Sequence, residues 1–376
     1  MPAGVLDLQQ LIPIATHHSP WMSWNIIIYL FLGGAAGGAF LTGALCDLIA
    51  GRKRSYEYAA MVGIHTSFPL ILLGGLILAL HLKKPEAALN VFIMMSSFHN
   101  FNSWMAVGAW VATFFAGAGI SCAICWYFGW ARNLRYIIQA IGLPLAIGVA
   151  LYTGLLLSGS GYLNLAASKG ADGHPLWSRS HLPLMFLMSG LSAGIALTGF
   201  NMLWVYKAFG NEAVVRLWWW PRTIFKKIPG ISTLLRPVSI EQDLRGMTWE
   251  EVVRVVRVLS LAVVVTIAFE AWDIYVYLSH LSSGNPGTQL AHKMLTTGPL
   301  STLFWGGVIT LGLAIPLLIT PLETMFKAHA VRLQYVKFCS ILIGGLIFRY
   351  VIVINGALSK APLKFPGIPP SGPPIF

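Results

Sequence analysis

The chain has 376 residues, 56% hydrophobic and only 10% charged, with a mean hydropathy of +0.70. A soluble domain carries about 25% charged residues, so a water-soluble globule is excluded and the class is a polytopic membrane protein. The net charge of +12 falls in short basic clusters between apolar runs; that pattern is the positive-inside signature of membrane topology and argues against a nucleic-acid partner.

The first 24 residues contain no Arg or Lys and no small-residue cleavage motif, so the first apolar run is expected to be a retained span rather than a signal peptide. A bilayer core takes about 20 apolar residues per helix. Eight such runs follow, at 24–50, 57–81, 104–129, 134–158, 182–207, 254–280, 298–325 and 337–358. The first contains "GGAAGG", four glycines in six positions. Gly34 and Gly38 share one helix face, and Gly33 and Gly37 another. Small residues four apart let helices approach closely in lipid, so these glycines are expected to build the bundle and to clear room for a flat ligand. Span three carries Cys122 and Cys125 as a lone CxxC. An iron–sulfur cluster takes four thiolates, so packing is the expectation and no metal site is assigned.

The loops after spans one, three, five and seven hold most of the cations: Arg52 to Arg54; Arg132 and Arg135; six between Arg216 and Arg245; then Lys327, Arg332 and Lys337. These loops are expected to be cytoplasmic, with both termini on the outer side of a prokaryotic inner membrane. The long connection 208–253 includes "RLWWWPRTIFKKIPG", which reads as a segment lying on the inner headgroups. The tail at 359–376 is proline-dense, hence extended, and reads equally as a loose end or as a strap over an external partner.

Residues 34–43 (GAAGGAFLTG) and 190–199 (GLSAGIALTG) agree at five positions with an offset of 156. Two parallel four-helix bundles related by duplication explain this, as does chance similarity between apolar helices. The expected fold is all-α, with a first bundle in 1–158 and a second in 159–358.

Four stretches carry a resemblance: "YLFLGGAAGGAFL" at 29–41, "FNSWMAVGAW" at 101–110, "LYTGLLLSG" with "PLWSRSHLPLMFLMSGLSAG" across 151–194, and "GGLIFRYVIVINGA" at 344–357. Their order and spacing resemble the NrfD-like family, membrane subunits of the polysulfide reductase type. The resemblance implies two four-helix bundles without haem or iron–sulfur cluster, exchanging electrons with membrane quinone, menaquinone in particular. It also implies a ferredoxin-like iron–sulfur subunit at the outer face and a further catalytic subunit: a molybdopterin enzyme, a multihaem cytochrome or a hydrogenase.

A quinone site holds an apolar ring, hydrogen-bonds its carbonyls and reaches a proton source. The outer helix ends offer Trp24, Asn25 and Tyr29, then His81, then His99 and Ser103, then Tyr152. The resemblance matches Tyr152 to the family's quinone-facing tyrosine. At the second helix end "HLKKP" stands where relatives have an acidic run, and His81 takes the acidic position. It reads either as a proton carrier or as an interfacial residue. Inside the spans, Glu270, Asp273 and Arg349 need partners. A structural ion pair or short polar network, a proton path and a second ligand site all remain open for them. Asp47 and His65 are candidates for a proton half-channel from the cytoplasmic side. Two other classes compete: a haem-b anchor, which needs facing histidines within the bilayer, and a secondary transporter built from two repeats.

Overall fold

The computed structural model describes residues 23–50, 53–81, 104–128, 132–158, 176–178, 180–234, 246–284, 286–326 and 329–360. The candidate residues His99 and Ser103 and the proline-rich stretch beyond 360 lie outside them. The described chain is all-α. Its helices are α1 (Trp24–Ala50), α2 (Arg54–His81), α3 (Trp104–Phe128), α4 (Arg132–Ser158), α5 (Leu182–Phe225), α6 (Trp249–Ser283), α7 (Pro286–Thr296), α8 (Ile315–Met325) and α9 (Ala330–Lys360). A π-helical segment, Leu303–Ala314, leads directly into α8. Eight helices are long and apolar enough to cross a membrane, the seventh being the π segment with α8. The protein is a multi-pass membrane protein. The side at which α1 begins is called the N-face below.

Several helices extend beyond their apolar runs because polar residues start them. α6 begins at Trp249, five residues before the run at 254. Thr248 caps it: its side chain accepts from Glu251 N, and Glu251 accepts from Thr248 N at 2.9 Å. This is the capping-box pattern. Thr248→Ala is expected to lower stability by about 1 kcal/mol, read as a drop in the thermal unfolding midpoint in detergent. α9 begins at Ala330 rather than 337, which places Lys337 inside a span. Arg132 and Arg135 likewise lie in α4, not in a loop. These three cations are turned inward to carboxylates, a use that charge counting along a sequence does not detect.

α5 continues 17 residues past Ala208, where its apolar span ends, to Phe225. Phe225 stacks on Phe128 at the end of α3, with centroids 5.2 Å apart. The extension therefore meets the end of α3 on the side opposite the N-face, and it includes much of the segment read from its tryptophans and lysines as interfacial. Two features depart from the sequence reading. Residues 286–296 form the short helix α7 in what reads as a loop. Span seven opens as a π-helix, with Thr310 Oγ1 donating to Trp305 O five residues back at 2.8 Å. Gly307 and Gly312 lie in this segment, close against α9: a Cβ on Gly344 would come 2.2 Å from Gly312 Cα.

α1 is the hub, since 83% of its apolar stretch is buried against 33% for α3. Its glycines serve three neighbours. A Cβ on Gly37 would lie 2.6 Å from Ala146 O of α4, and one on Gly43 2.8 Å from Ala60 O of α2. A Cβ on Gly38 would lie 2.2 Å from Gly190 O, and one on Gly194 2.2 Å from Gly38 C and Ala39 N. The two matching glycine stretches are thus each other's packing partners, α1 against α5. Helix backbones approach this closely in lipid only where side chains are absent. Beside Gly34 lies Arg349, whose Nη2 would be 3.1 Å from an added Cβ.

Candidate functional site

At the N-face end of α1 to α4, four of the candidate residues come together as two pairs. Tyr29 and Tyr152 are neighbours and are both buried, at 4% exposure. The Asn25 amide and His81 Nδ1 face each other at 3.5 Å, one turn of α1 nearer the surface than Tyr29. Glycines shape the pocket around the rings. A Cβ on Gly108 would fall 1.8 Å from Tyr152 Cε2, inside the ring's van der Waals envelope, and one on Gly74 3.3 Å from Tyr29 Cδ2. These two glycines make room for the tyrosine rings themselves. Gly108 falls within the stretch 101–110 that carries the family resemblance, but nothing in the sequence assigns it or Gly74 this role. Trp24 does not join the group; it is 60% exposed and stacks on Tyr350 of α9 at 4.9 Å.

On the opposite side of the same helices stands a buried charge cluster. Arg135 binds Asp47 through two bonds, Nε to Oδ2 at 2.8 Å and Nη2 to Oδ1 at 3.0 Å, and reaches Glu57 at 3.2 Å. Arg132 also binds Glu57, at 3.1 Å, and Gln139 donates to Asp47 at 2.8 Å. Arg135 lies 4.4 Å from the Trp126 ring centroid. Asp47 is therefore an ion-pair member, and its partners are on α4. His65 donates from Nδ1 to Met61 O at 2.7 Å, which places a proton on Nδ1, and packs against Phe68, Trp126 and Tyr127. Sequence reasoning does not single out Glu57 or Gln139; both become legible only once α4 is seen to begin at Arg132.

The remaining spans hold two further polar groups. Lys337, with no exposed surface, donates to Glu323 at 3.3 Å, to Thr320 at 2.8 Å and to the Ser260 hydroxyl; Ser260 in turn donates to Glu323 at 3.0 Å. Closer to the N-face, Arg349 donates to the Ser189 hydroxyl, and Ser189 lines the same small cavity as Glu270. Ser192 donates to Glu270 at 3.1 Å, and Arg349 Nη2 donates to Phe186 O at 3.1 Å. The structure thus brings Glu270 and Arg349 close together, each bonded to a serine. The helix starts explain the level: Glu270 is 21 residues beyond Trp249 and Arg349 is 19 beyond Ala330, a difference of about 3 Å in height. A cavity of about 10 Å³ beside the π segment is lined by Ser189, Ser192, Glu270 and Gly312, which is the threshold for one water. Asp273 is buried one turn nearer the N-face, and its Oδ2 has no partner among the described residues.

At the N-face, His181 and His280 lie with ring centroids 5.1 Å apart. Partial burial, and then the neighbouring His280, hold the His181 imidazole below its ordinary pKa. A large open groove between α3 and α4, lined by Phe114, Ala118, Ile138, Ile141, Pro144 and Leu145, is apolar throughout. It lacks the convergent polar groups of a head-group site.

An all-helical scaffold with eight membrane-length spans, two buried tyrosines near one rim and ionisable side chains paired within the spans defines a polytopic integral membrane protein. The chain matches the family described as "Polysulphide reductase, NrfD" over residues 14–225 and 239–361. It belongs to that family. It is also similar to the C subunit of polysulfide reductase from Wolinella succinogenes, with 26% identity over 351 residues that cover 89% of this protein and 93% of that subunit.

Proposed function

We propose that this protein is the quinone-handling membrane subunit of a multi-subunit respiratory oxidoreductase, binding menaquinone or a related quinone at the N-face end of α1 to α4. The observation that carries this reading is the pairing of Tyr29 with Tyr152 beside Asn25 and His81, in a family typified by polysulfide reductase. A tyrosine hydroxyl of this pair can donate to a quinone carbonyl, and burial strengthens such a bond. His81, at the end of α2, stands between the pair and the surface and is suited to carry protons. The basic connections opposite the N-face orient that face outward, with both termini there. Electrons then come from, or go to, a ferredoxin-like iron–sulfur subunit on the outer face and a further catalytic subunit beyond it.

The test uses the assembled complex and quinol-linked turnover. Tyr152→Phe removes one donor and is expected to lower kcat/KM about tenfold, the worth of one buried hydrogen bond of about 1.4 kcal/mol. Gly108→Ala pushes the Tyr152 ring out of place and is expected to cost at least as much without touching a polar group. Turnover unchanged in both variants contradicts the site.

A second reading, proton translocation, is favoured by the polar column in the other spans. Lys337, Glu323 and Ser260, then Glu270, Ser189, Ser192 and Arg349, then Asp273, run in that order toward the N-face. In proteoliposomes, turnover is expected to build a membrane potential that Glu270→Gln abolishes while quinol chemistry continues. A potential preserved in that variant removes the column from the path. The competing classes fit less well. A haem-b anchor needs facing axial histidines, and His65 is instead bonded to Met61 and boxed by aromatic rings. A two-repeat transporter usually breaks corresponding helices, whereas the π segment of span seven has a regular α-helix as its counterpart in order, span three.

A further inference from the structure

We infer that His181 and His280 form a site for a divalent transition metal, tying the start of α5 to the end of α6 at the N-face. The inference is separate from the quinone site, which lies on other helices.

The geometry fits two imidazoles sharing one ion. With Zn–N bonds of about 2.1 Å and a tetrahedral angle, ring centroids stand about 5.2 Å apart; here they are 5.1 Å apart, with planes inclined by 45°. Both rings are accessible, His280 exposed and His181 half-buried. The site is also held in advance. His181 sits at the end of a short segment fixed to two different helices: Tyr277 of α6 donates to Leu176 O, and Trp177 Nε1 donates to Ile352 O of α9 at 3.0 Å. Leu182 N closes the turn onto Ser178 O at 3.0 Å. Tyr277 is one turn before His280 on α6, so the anchor and the second imidazole share a helix face. Such fixing lowers the ordering cost of binding.

The donor set selects the ion. Neutral imidazoles suit zinc, copper and nickel, whereas magnesium and calcium take oxygen ligands. Among the described residues no three His, Cys, Asp or Glu side chains converge, so the ion keeps water or an anion at its remaining positions. That makes it an exchangeable surface site that joins two spans.

The test takes the full chain in nanodiscs and titrates it with Zn²⁺, following heat and the thermal unfolding midpoint, with Cu²⁺ electron paramagnetic resonance to count coordinated imidazole nitrogens. Expected are saturable binding of one ion, a raised midpoint, and a spectrum with two nitrogens. His280→Phe keeps an aromatic ring beside His181 but removes the ligand; it is expected to weaken binding by about tenfold or more, given that losing even an outer partner costs about 10–100-fold. His280→Asp restores an anionic ligand and recovers part of the affinity. His292→Gln, on α7, is expected to bind as the unaltered protein does. No Zn²⁺ binding at all, or His280→Phe binding as tightly as the unaltered chain, overturns the assignment. So does loss of binding in His292→Gln. His280 is exposed, so its variants test the site even where a His181 variant fails to fold.

Discussion

Gly194→Ala is expected to destabilise the protein by about 2–3 kcal/mol, a large effect for one methyl group. The new Cβ falls 2.2 Å from Gly38 C and Ala39 N. Both are backbone atoms of a neighbouring helix, so no rotamer change makes room and α1 and α5 must separate. Without a hydrophobic force between helices in lipid, the packing lost there is not replaced. Gly75→Ala is the matched control: nothing lies within 4 Å of its added Cβ, and the higher helix propensity of alanine makes it neutral or stabilising by up to about 1 kcal/mol. Unfolding midpoints of the two variants, measured in one detergent, are expected to move in opposite directions or to differ by several degrees. Equal shifts contradict the α1–α5 packing described above.

Arg135→Leu is the second variant with a large expected cost. Its guanidinium serves both Asp47, 1% exposed, and Glu57, 4% exposed at the side chain. Removing it leaves two carboxylates facing each other with only Arg132 and Gln139 in support. Breaking a buried pair by removing one partner costs about 3–5 kcal/mol. The triple variant Arg135→Leu with Asp47→Asn and Glu57→Gln is expected to recover most of that loss, because no uncompensated charge remains. A single variant that unfolds like the unaltered protein, or a triple variant no better than the single, contradicts the cluster. The same logic makes Asp47→Asn a poor probe of proton movement, since its first consequence is to strand Arg135.

Sequence periodicity and apolar length were enough to find all eight spans, because a bilayer imposes a length that a sequence displays directly. Helix starts were harder. α6 and α9 begin with polar turns, and apolar runs are silent about these; the Thr248 to Glu251 capping box was readable and would have placed one of them. Burial of charge was the least legible property. Arg132, Arg135 and Lys337 read as loop cations because nothing along the chain says that Asp47, Glu57 and Glu323 face them across a helix interface. Glu270 and Arg349, deep in apolar runs, required partners on energetic grounds alone; Ser189 as a partner was invisible because a serine in a span has many ordinary uses. The α1 glycines announced close packing. Their division among α2, α4 and α5 needed three dimensions, as did the pressing of Gly108 against Tyr152. The π segment left only its glycines as a trace.

The proposed quinone site places the ring among Tyr29, Tyr152, Asn25 and His81. Photo-crosslinking with an azido-menaquinone, followed by peptide mapping of the assembled complex, tests it most directly. Adducts are expected within 25–29, near His81 or near Tyr152, and excess menaquinone is expected to suppress them. Adducts confined to α5 to α9, or labelling that menaquinone does not compete, contradict it.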